Sequence, residues 1–226
     1  MAGDFDGSTG YYETSSAVLT ALPITFSAWH WVPNSLTADS ILISQTDASA
    51  GNKSCSIRNR NVAGGSFAEY FMRNTAFDSA QTANTWDADR WNHVCGFSSN
   101  ATTHVCVLNG DWANRGTAST SGALDGTFDR TSIGRASDLT PSDYTDGLIG
   151  ECAIWNVALS QSEIEALAGG IPALQIRPAS LQFYLPVFGA ASTYKDWIGG
   201  LTMTKAGTVN ASDEQPPIIR DALVAG

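Results

Sequence analysis

The chain has no run approaching 18 apolar residues, so nothing in it reads as a membrane-spanning helix. It has no cluster of lysines or arginines: 12 basic residues stand against 22 acidic ones, for a formal charge of −10. Such a surface repels phosphate backbones and anionic headgroups, so neither nucleic acid nor a membrane is an expected partner. The start, MAGDFDGSTGYY, lacks the basic segment and apolar run of a secretion signal, and synthesis as a soluble protein in the cytosol is expected. Cysteine is scarce. The four present, Cys55, Cys95, Cys106 and Cys152, show no Cys-x-x-Cys spacing, which argues against a thiolate metal site. Also missing are Gly-x-Ser-x-Gly, His-Glu-x-x-His and any phosphate-cradling loop. No Glu-x-Asp-x-Glu-like strand occurs, so the acid and nucleophile pair of a glycosidase is not signalled.

What is present describes one domain. The 226 residues, 43% hydrophobic and 10% aromatic, suffice for a single sizeable core. Short alternating runs separated by Gly, Asn, Asp and Ser predict strands at 3–6, 10–14, 24–32, 40–45, 54–60, 67–73, 91–98, 103–108, 130–134, 146–156, 181–186 and 201–204. That spacing implies an all-β sandwich of two antiparallel sheets. Turns are marked by NVAGGS (61–66) and by Asn109-Gly110. One helix interrupts the pattern: Ser160 and Glu163 form a capping box, Ile164, Leu167 and Ala168 an apolar face, and Gly169-Gly170 a stop. The sandwich is expected to span 1–208. Residues 209–226, with Pro216-Pro217 and the apolar Ile218, Ile219, Leu223 and Val224, read as an extended arm ordered against a partner.

Two stretches leave alternatives open. In FSAWHWVP (26–33), side chains alternate, so Trp29 and Trp31 share one face and Phe26, Ala28, His30 and Val32 the other. If the second set faces the core, two indoles stand outside, about 6.5 Å apart along the strand. If the first set does, the indoles pack inside and His30 needs a polar partner. Cys95 and Cys106 flank a hairpin centred near Asn100, in a register that would set them opposite one another. Both a cross-strand disulfide and two buried free thiols are consistent with that.

Four blocks occur in a telling order: FDGSTGYY (5–12), ITFSAWHWV (24–32), RWNHVCGF with VCVLNGDW (90–112), and DGLIGECAIWNVALSQSEIEAL (146–167). Over roughly 4–168 they resemble concanavalin-A-like jelly-roll domains of the laminin-G-like and pentraxin type. The strands LQFYLPV and KDWIGGLTMTKAG, which in such domains precede the FDG block, here follow the helix. The chain is thus similar to a circularly rearranged version whose C-terminal strands complete the sheet beside the N-terminal one. The resemblance implies packing roles for Trp29, Trp91, Trp155 and His93. It sets Trp31 at an outward position, and Trp86 and Trp112 lie in loop-like sequence. These three are the candidate sugar-stacking residues. His104 reads as exposed. The family's calcium site implies oxygen ligands from Asp47, Asn52 and Asp138, but Ala136 stands at a further acidic position and depletes the set. The pentraxin disulfide lacks its first half: Cys95 fits the second, while Ser27 stands near the first. No cofactor other than that calcium is implied.

Two non-catalytic functions follow. The first is a structural brick of a phage virion, decorating capsid or tail. It would be made in the host cytoplasm and contact other virion proteins or itself, with glycan binding as a secondary role. That reading rests on fold-level analogy. The alternative is a lectin-like carbohydrate-binding module, with or without calcium.

Overall fold

Alternation groups the side chains, and the packing of the two sheets decides which group turns inward. In the computed structural model, Phe26, Ala28, His30 and Val32 face the core and are buried, which leaves Trp29 and Trp31 on the outer side of their sheet. The structure describes residues 2–34, 37–51, 53–63, 65–74, 76–119, 124 and 126–219. Along the chain run β1 (Ala2–Asp6), β2 (Tyr11–Thr14), β3 (Ile24–Val32), β4 (Ser40–Thr46), β5 (Lys53–Val62), β6 (Gly65–Asn74), β7 (Ala76–Thr85) and β8 (Arg90–Asn100). They are followed by β9 (Thr103–Leu108), β10 (Gly116–Ala118), β11 (Arg130–Ile133), β12 (Asp146–Trp155), the helix α1 (Gln161–Ala168), β13 (Leu181–Leu185), β14 (Thr193–Lys195), β15 (Thr202–Ala206) and β16 (Val209–Ser212).

These strands make two eight-stranded antiparallel sheets, an all-β sandwich as expected. The back sheet runs β10-β9-β8-β3-β12-β1-β16, with β13 paired to the second half of β12; the front sheet runs β14-β15-β2-β11-β4-β5-β6-β7. The C-terminal strands β15 and β16 lie against β2 and β1, so the end of the chain completes both sheets beside its beginning. Strands β7, β10, β14 and β16 escape sequence reading because they are short or polar. β7 exists because β6 offers it a ladder and β10 crosses closely over it. A Cβ on Gly116 would lie 2.4 Å from the Gln81 backbone, so only glycine lets the two sheets meet at this edge.

Between the sheets packs a core that includes Phe5, Tyr12, Phe26, Tyr70, Trp86 and Phe183. A second apolar cluster sits on the outer face of the back sheet, where Phe97, Val107 and Trp155 are covered by Leu159, Ile164, Leu167 and Ile176. α1 therefore acts as a lid. Its capping box forms as expected, the Ser160 backbone N–H donating to the Glu163 carboxylate at 2.7 Å. Trp155 is fully buried and its Nε1–H donates to the Ile176 carbonyl at 2.8 Å. Trp91 is only half-buried.

Three expectations are corrected here. The β8–β9 register pairs Cys95 with Val107 and Gly96 with Cys106, so the two cysteines point to opposite faces, Cys95 under the helix and Cys106 into the core. Both are free thiols, as are Cys55 and Cys152. Ser27 does stand directly opposite Cys95 on the neighbouring strand. Second, His104 is buried rather than exposed: its Nε2 lies 3.3 Å from an Asp78 oxygen and its Nδ1 2.6 Å from the Ser98 hydroxyl. Asp78 reaches it because β7, unseen in the sequence, closes over β9. Third, the arm does not begin at 209. Residues 209–212 are β16, satisfying the open edge of β1. Beyond them Pro216 is buried against Gly150, and the Ile219 N–H donates to the Gly170 carbonyl at 2.8 Å. Through Ile219 the tail is held by its own domain. Leu223 and Val224 lie outside the described residues.

Candidate functional site

Along β2 and β15 the outward and inward side chains of the front sheet differ in character. In β2, Tyr12 points into the core and its hydroxyl donates to the carbonyls of Gly189 and Ala191, while Tyr11 and Glu13 point outward. In β15, Met203 points inward and Thr202 and Thr204 outward, with Thr204 directly opposite Glu13. The FDGSTG turn fixes where β2 starts: one Asp6 carboxylate oxygen accepts the backbone N–H groups of Ser8, Thr9 and Gly10. These hydrogen bonds, with that of the Thr9 hydroxyl, outweigh partial burial and hold the Asp6 carboxyl well below its ordinary range.

Arg135 joins the group from the turn after β11. Gly134 makes that turn at φ 92°, and a Cβ there would strike the Phe5 ring at 2.6 Å. The Arg135 guanidinium stacks 3.4 Å from the Tyr11 ring centroid, donates to Glu13 at 3.0 Å and to the Tyr144 hydroxyl at 3.1 Å. Arg130 lies 3.7 Å from the other Glu13 oxygen. Beside this cluster opens a groove of about 400 Å³, lined by Tyr11, Glu13, Thr14, Ser15, Thr202, Thr204, Lys205 and Ala206. Its outward side chains offer the Tyr11 ring, the hydroxyls of Thr202 and Thr204 and a single carboxylate, a set that can hydrogen-bond a hydroxyl-rich ligand, while Lys205, opposite the inward Tyr12, donates its ammonium to the carbonyls of Ala190 and Val209. Glu13 is the sole carboxylate on its walls, and two guanidinium groups already balance its charge. A paired acid and nucleophile is not assembled there.

Among the described residues, none of the sequence-predicted site residues lines this groove. Trp31 is half-buried on the back sheet, edge-to-face with Trp91 at 6.2 Å. Trp86, read as a displayed loop residue, is instead core: it is 6% exposed and meets the His30 ring edge-on at 5.4 Å. It lies just past the end of β7, an element the sequence pattern conceals. Trp112 is packed on Phe97 at 6.5 Å in stacked geometry, with Arg115 4.9 Å from its ring. Two of the expected calcium ligands, Asp47 and Asp138, are set apart. β4 and β11 are antiparallel, with Thr46 opposite Arg130 and Ile43 opposite Ile133. Asp47 therefore follows one end of that pair and Asp138 follows the other. Asp47 accepts from the hydroxyls of Ser49 at 2.6 Å and Thr127 at 2.7 Å, which hold its carboxyl down to about 2. Asp138 accepts the Thr140 N–H at 3.1 Å. Asn52 lies outside the described residues. Among the described residues no three His, Cys, Asp or Glu side chains cluster as a metal site.

Sequence reading missed Tyr11, Glu13, Thr202, Thr204 and Arg135. The alternation of Tyr11-Tyr12 and of Thr-Met-Thr shows that each sends some side chains outward. No local signal says that residues so far apart in sequence share one groove.

Solved structures similar to this chain are low in identity and show the fold. A candidate carbohydrate-binding protein from Bacteroides ovatus is 17% identical with a TM-score of 0.62; the match covers 94% of this chain and 60% of that one, so the chain spans less than two thirds of that relative. A heptameric pentraxin from Limulus polyphemus is 12% identical with a TM-score of 0.63, covering 94% of this chain and 95% of that one. Tailspike protein 2 of the Escherichia coli O157:H7 bacteriophage CAB120 is 12% identical with a TM-score of 0.53, over 76% of this chain and 25% of the tailspike. Among curated proteins none matches by sequence. A family model of the laminin G type matches residues 6–165. The chain therefore belongs to the concanavalin A-like lectin/glucanases superfamily.

Proposed function

We propose that this domain is a non-catalytic glycan-binding module whose site is the front-sheet groove. The observation that carries the reading is the convergence of the Tyr11 ring, the Glu13 carboxylate and the outward hydroxyls of Thr202 and Thr204 around about 400 Å³ of open space. Sugars need this mixture: an aromatic surface for their C–H faces and fixed polar atoms for their hydroxyls. Similarity to a candidate carbohydrate-binding protein supports the same class of ligand. A glycan array followed by calorimetric titration tests it. A hit should weaken about tenfold or more in Tyr11→Ala and in Thr204→Val, with wild-type circular dichroism as the check on folding. No binding to any array member, or binding indifferent to both substitutions, overturns the reading.

A second reading is favoured by the tailspike similarity. Here the domain is a structural component of a phage particle, on capsid or tail, contacting other virion proteins or its own copies, with glycan recognition as its surface role. Mass spectrometry of purified particles from the source decides it, and absence of the chain from them refutes it.

A further inference from the structure

The outer face of the back sheet is unevenly covered. Over one half, Leu159, Ile164, Leu167 and Ile176 lie on Phe97 and Trp155, and Pro216 lies against Gly150. The other half carries a row of side chains that crosses five strands. Asn210 of β16 stands opposite Asp4 of β1, and Asp4 stands opposite Leu148 of β12. Leu148 in turn stands opposite Trp31 of β3, and Trp31 opposite Trp91 of β8. Cross-strand partners share a face, and Phe5, which alternates with Asp4, is in the core, so the row points outward. Asn210 is exposed, and Asp4, Trp31 and Trp91 are half-buried. Asp4 and Trp31 are two strands apart, about 10 Å.

One end of the row carries charge without compensation. Asp6, on the same face as Asp4, stands directly opposite Asp146, and like charges so placed repel. The turn that follows β1 holds Asp6 ionised through its hydrogen bonds to the backbone N–H groups of Ser8, Thr9 and Gly10. Burial, and after it the charges of Asp146 and Asp6, push the Asp4 carboxyl up. Among the described residues no lysine, arginine or histidine pairs with Asp4 or Asp146. The other end is aromatic: Trp31 and Trp91 meet at 6.2 Å with their ring planes at 79°.

The chemistry of the two ends points to one kind of side chain. A metal ion needs its ligands gathered, and among the described residues no three His, Cys, Asp or Glu side chains cluster for one. A neutral sugar could lie on the indoles but would leave the repulsion among the carboxylates in place. A guanidinium relieves that repulsion, its planar fork of donors bonds carboxylates bidentately, and it stacks on indole faces. Leu148, between the two ends, suits the apolar stem of such a side chain. The formal charge of −10 adds a long-range attraction for a basic partner. From the row of carboxylates and indoles we infer that this half of the back sheet docks an arginine-bearing segment of a partner protein.

Tetra-arginine amide is the probe, followed by the Trp31 indole N–H signal in two-dimensional NMR and assigned by its loss in Trp31→Phe. Tetra-lysine amide at equal ionic strength is the control for charge alone. A saturable shift with tetra-arginine is expected, with tetra-lysine binding at least about threefold more weakly. Affinity for tetra-arginine should fall about fivefold in Asp4→Asn. Glu165→Gln, which removes a charge on α1 away from the row, should leave it unchanged. Asp4→Asn removes a repulsion and should keep the wild-type circular dichroism; Asp146→Asn serves in its place if it misfolds. No saturable shift, equal affinity for the two peptides, or equal affinities in the row variant and Glu165→Gln would overturn the docking row.

Discussion

Acid should destabilise this fold through two histidines well above the pH at which its carboxylates titrate. His30 and His93 are fully buried. His30 donates Nε2–H to the Asp146 carbonyl at 3.1 Å, which leaves Nδ1 as a bare nitrogen packed toward Trp86 without a partner. His93 has the Ser27 hydroxyl 2.8 Å from Nε2, and its Nδ1 is likewise buried without a partner. Burial pushes His30 down to about 4 and His93 down to about 3, from an ordinary value of 6.5. In the unfolded chain both protonate as pH falls through about 6.5, whereas in the folded chain they remain neutral. Full stability is thus present above about 6.5 and is lost progressively toward the folded values. At pH 5 the linkage amounts to about 2 kcal/mol per histidine, or about 4 kcal/mol together, against a typical total of about 5–15 kcal/mol. With a urea m-value of about 2–3 kcal/mol/M, the midpoint should drop by about 1.3–2 M between pH 7.5 and pH 5. Urea titrations followed by tryptophan fluorescence at both pH values measure this. His30→Gln and His93→Gln should each remove about half of the drop, whatever they do to stability at pH 7.5. A midpoint that does not move with pH, or an undiminished drop in both variants, would refute the assignment of neutral buried imidazoles.

The remaining expectations are more local. Trp86→Ala should lower stability by about 3–5 kcal/mol in chemical denaturation and leave ligand affinity at the front-sheet groove unchanged, because this indole is core. All four cysteines should resist a thiol reagent in the native protein and react on unfolding, since burial pushes the Cys55 thiol up to about 12 and raises the others as well. A single fast-reacting thiol in the folded protein would contradict that. Calcium at millimolar concentration should shift the melting temperature by less than about a degree, because Asp47 and Asp138 lie at opposite ends of one strand pair. A large shift abolished in Asp138→Ala would contradict it.

The sequence by itself determined where the strands lie and which side chains share a face. Period-two alternation in ITFSAWHWV, turn residues such as Asn109-Gly110, and the Ser160 and Glu163 cap act between near neighbours, so they are readable without a fold. The order of the four blocks likewise pointed to the superfamily. Only the tertiary structure decided which outward side chains stay outward. Trp29 and Trp31 share a face, yet Trp29 is 5% exposed while Trp31 is half-buried, because cover comes from chain remote in sequence. The same reason hid both sites. Tyr11, Arg135 and Thr204 converge through pairings of β2 with β11 and β15, and Asp4 and Trp31 align through pairings of β12 with β1 and β3. Conversely, Asp47 and Asp138, paired by resemblance to the family's calcium site, are parted by antiparallel geometry. Side-chain chemistry is written locally, whereas proximity is set by strand register, and register emerges only when the whole hydrophobic set is buried at once.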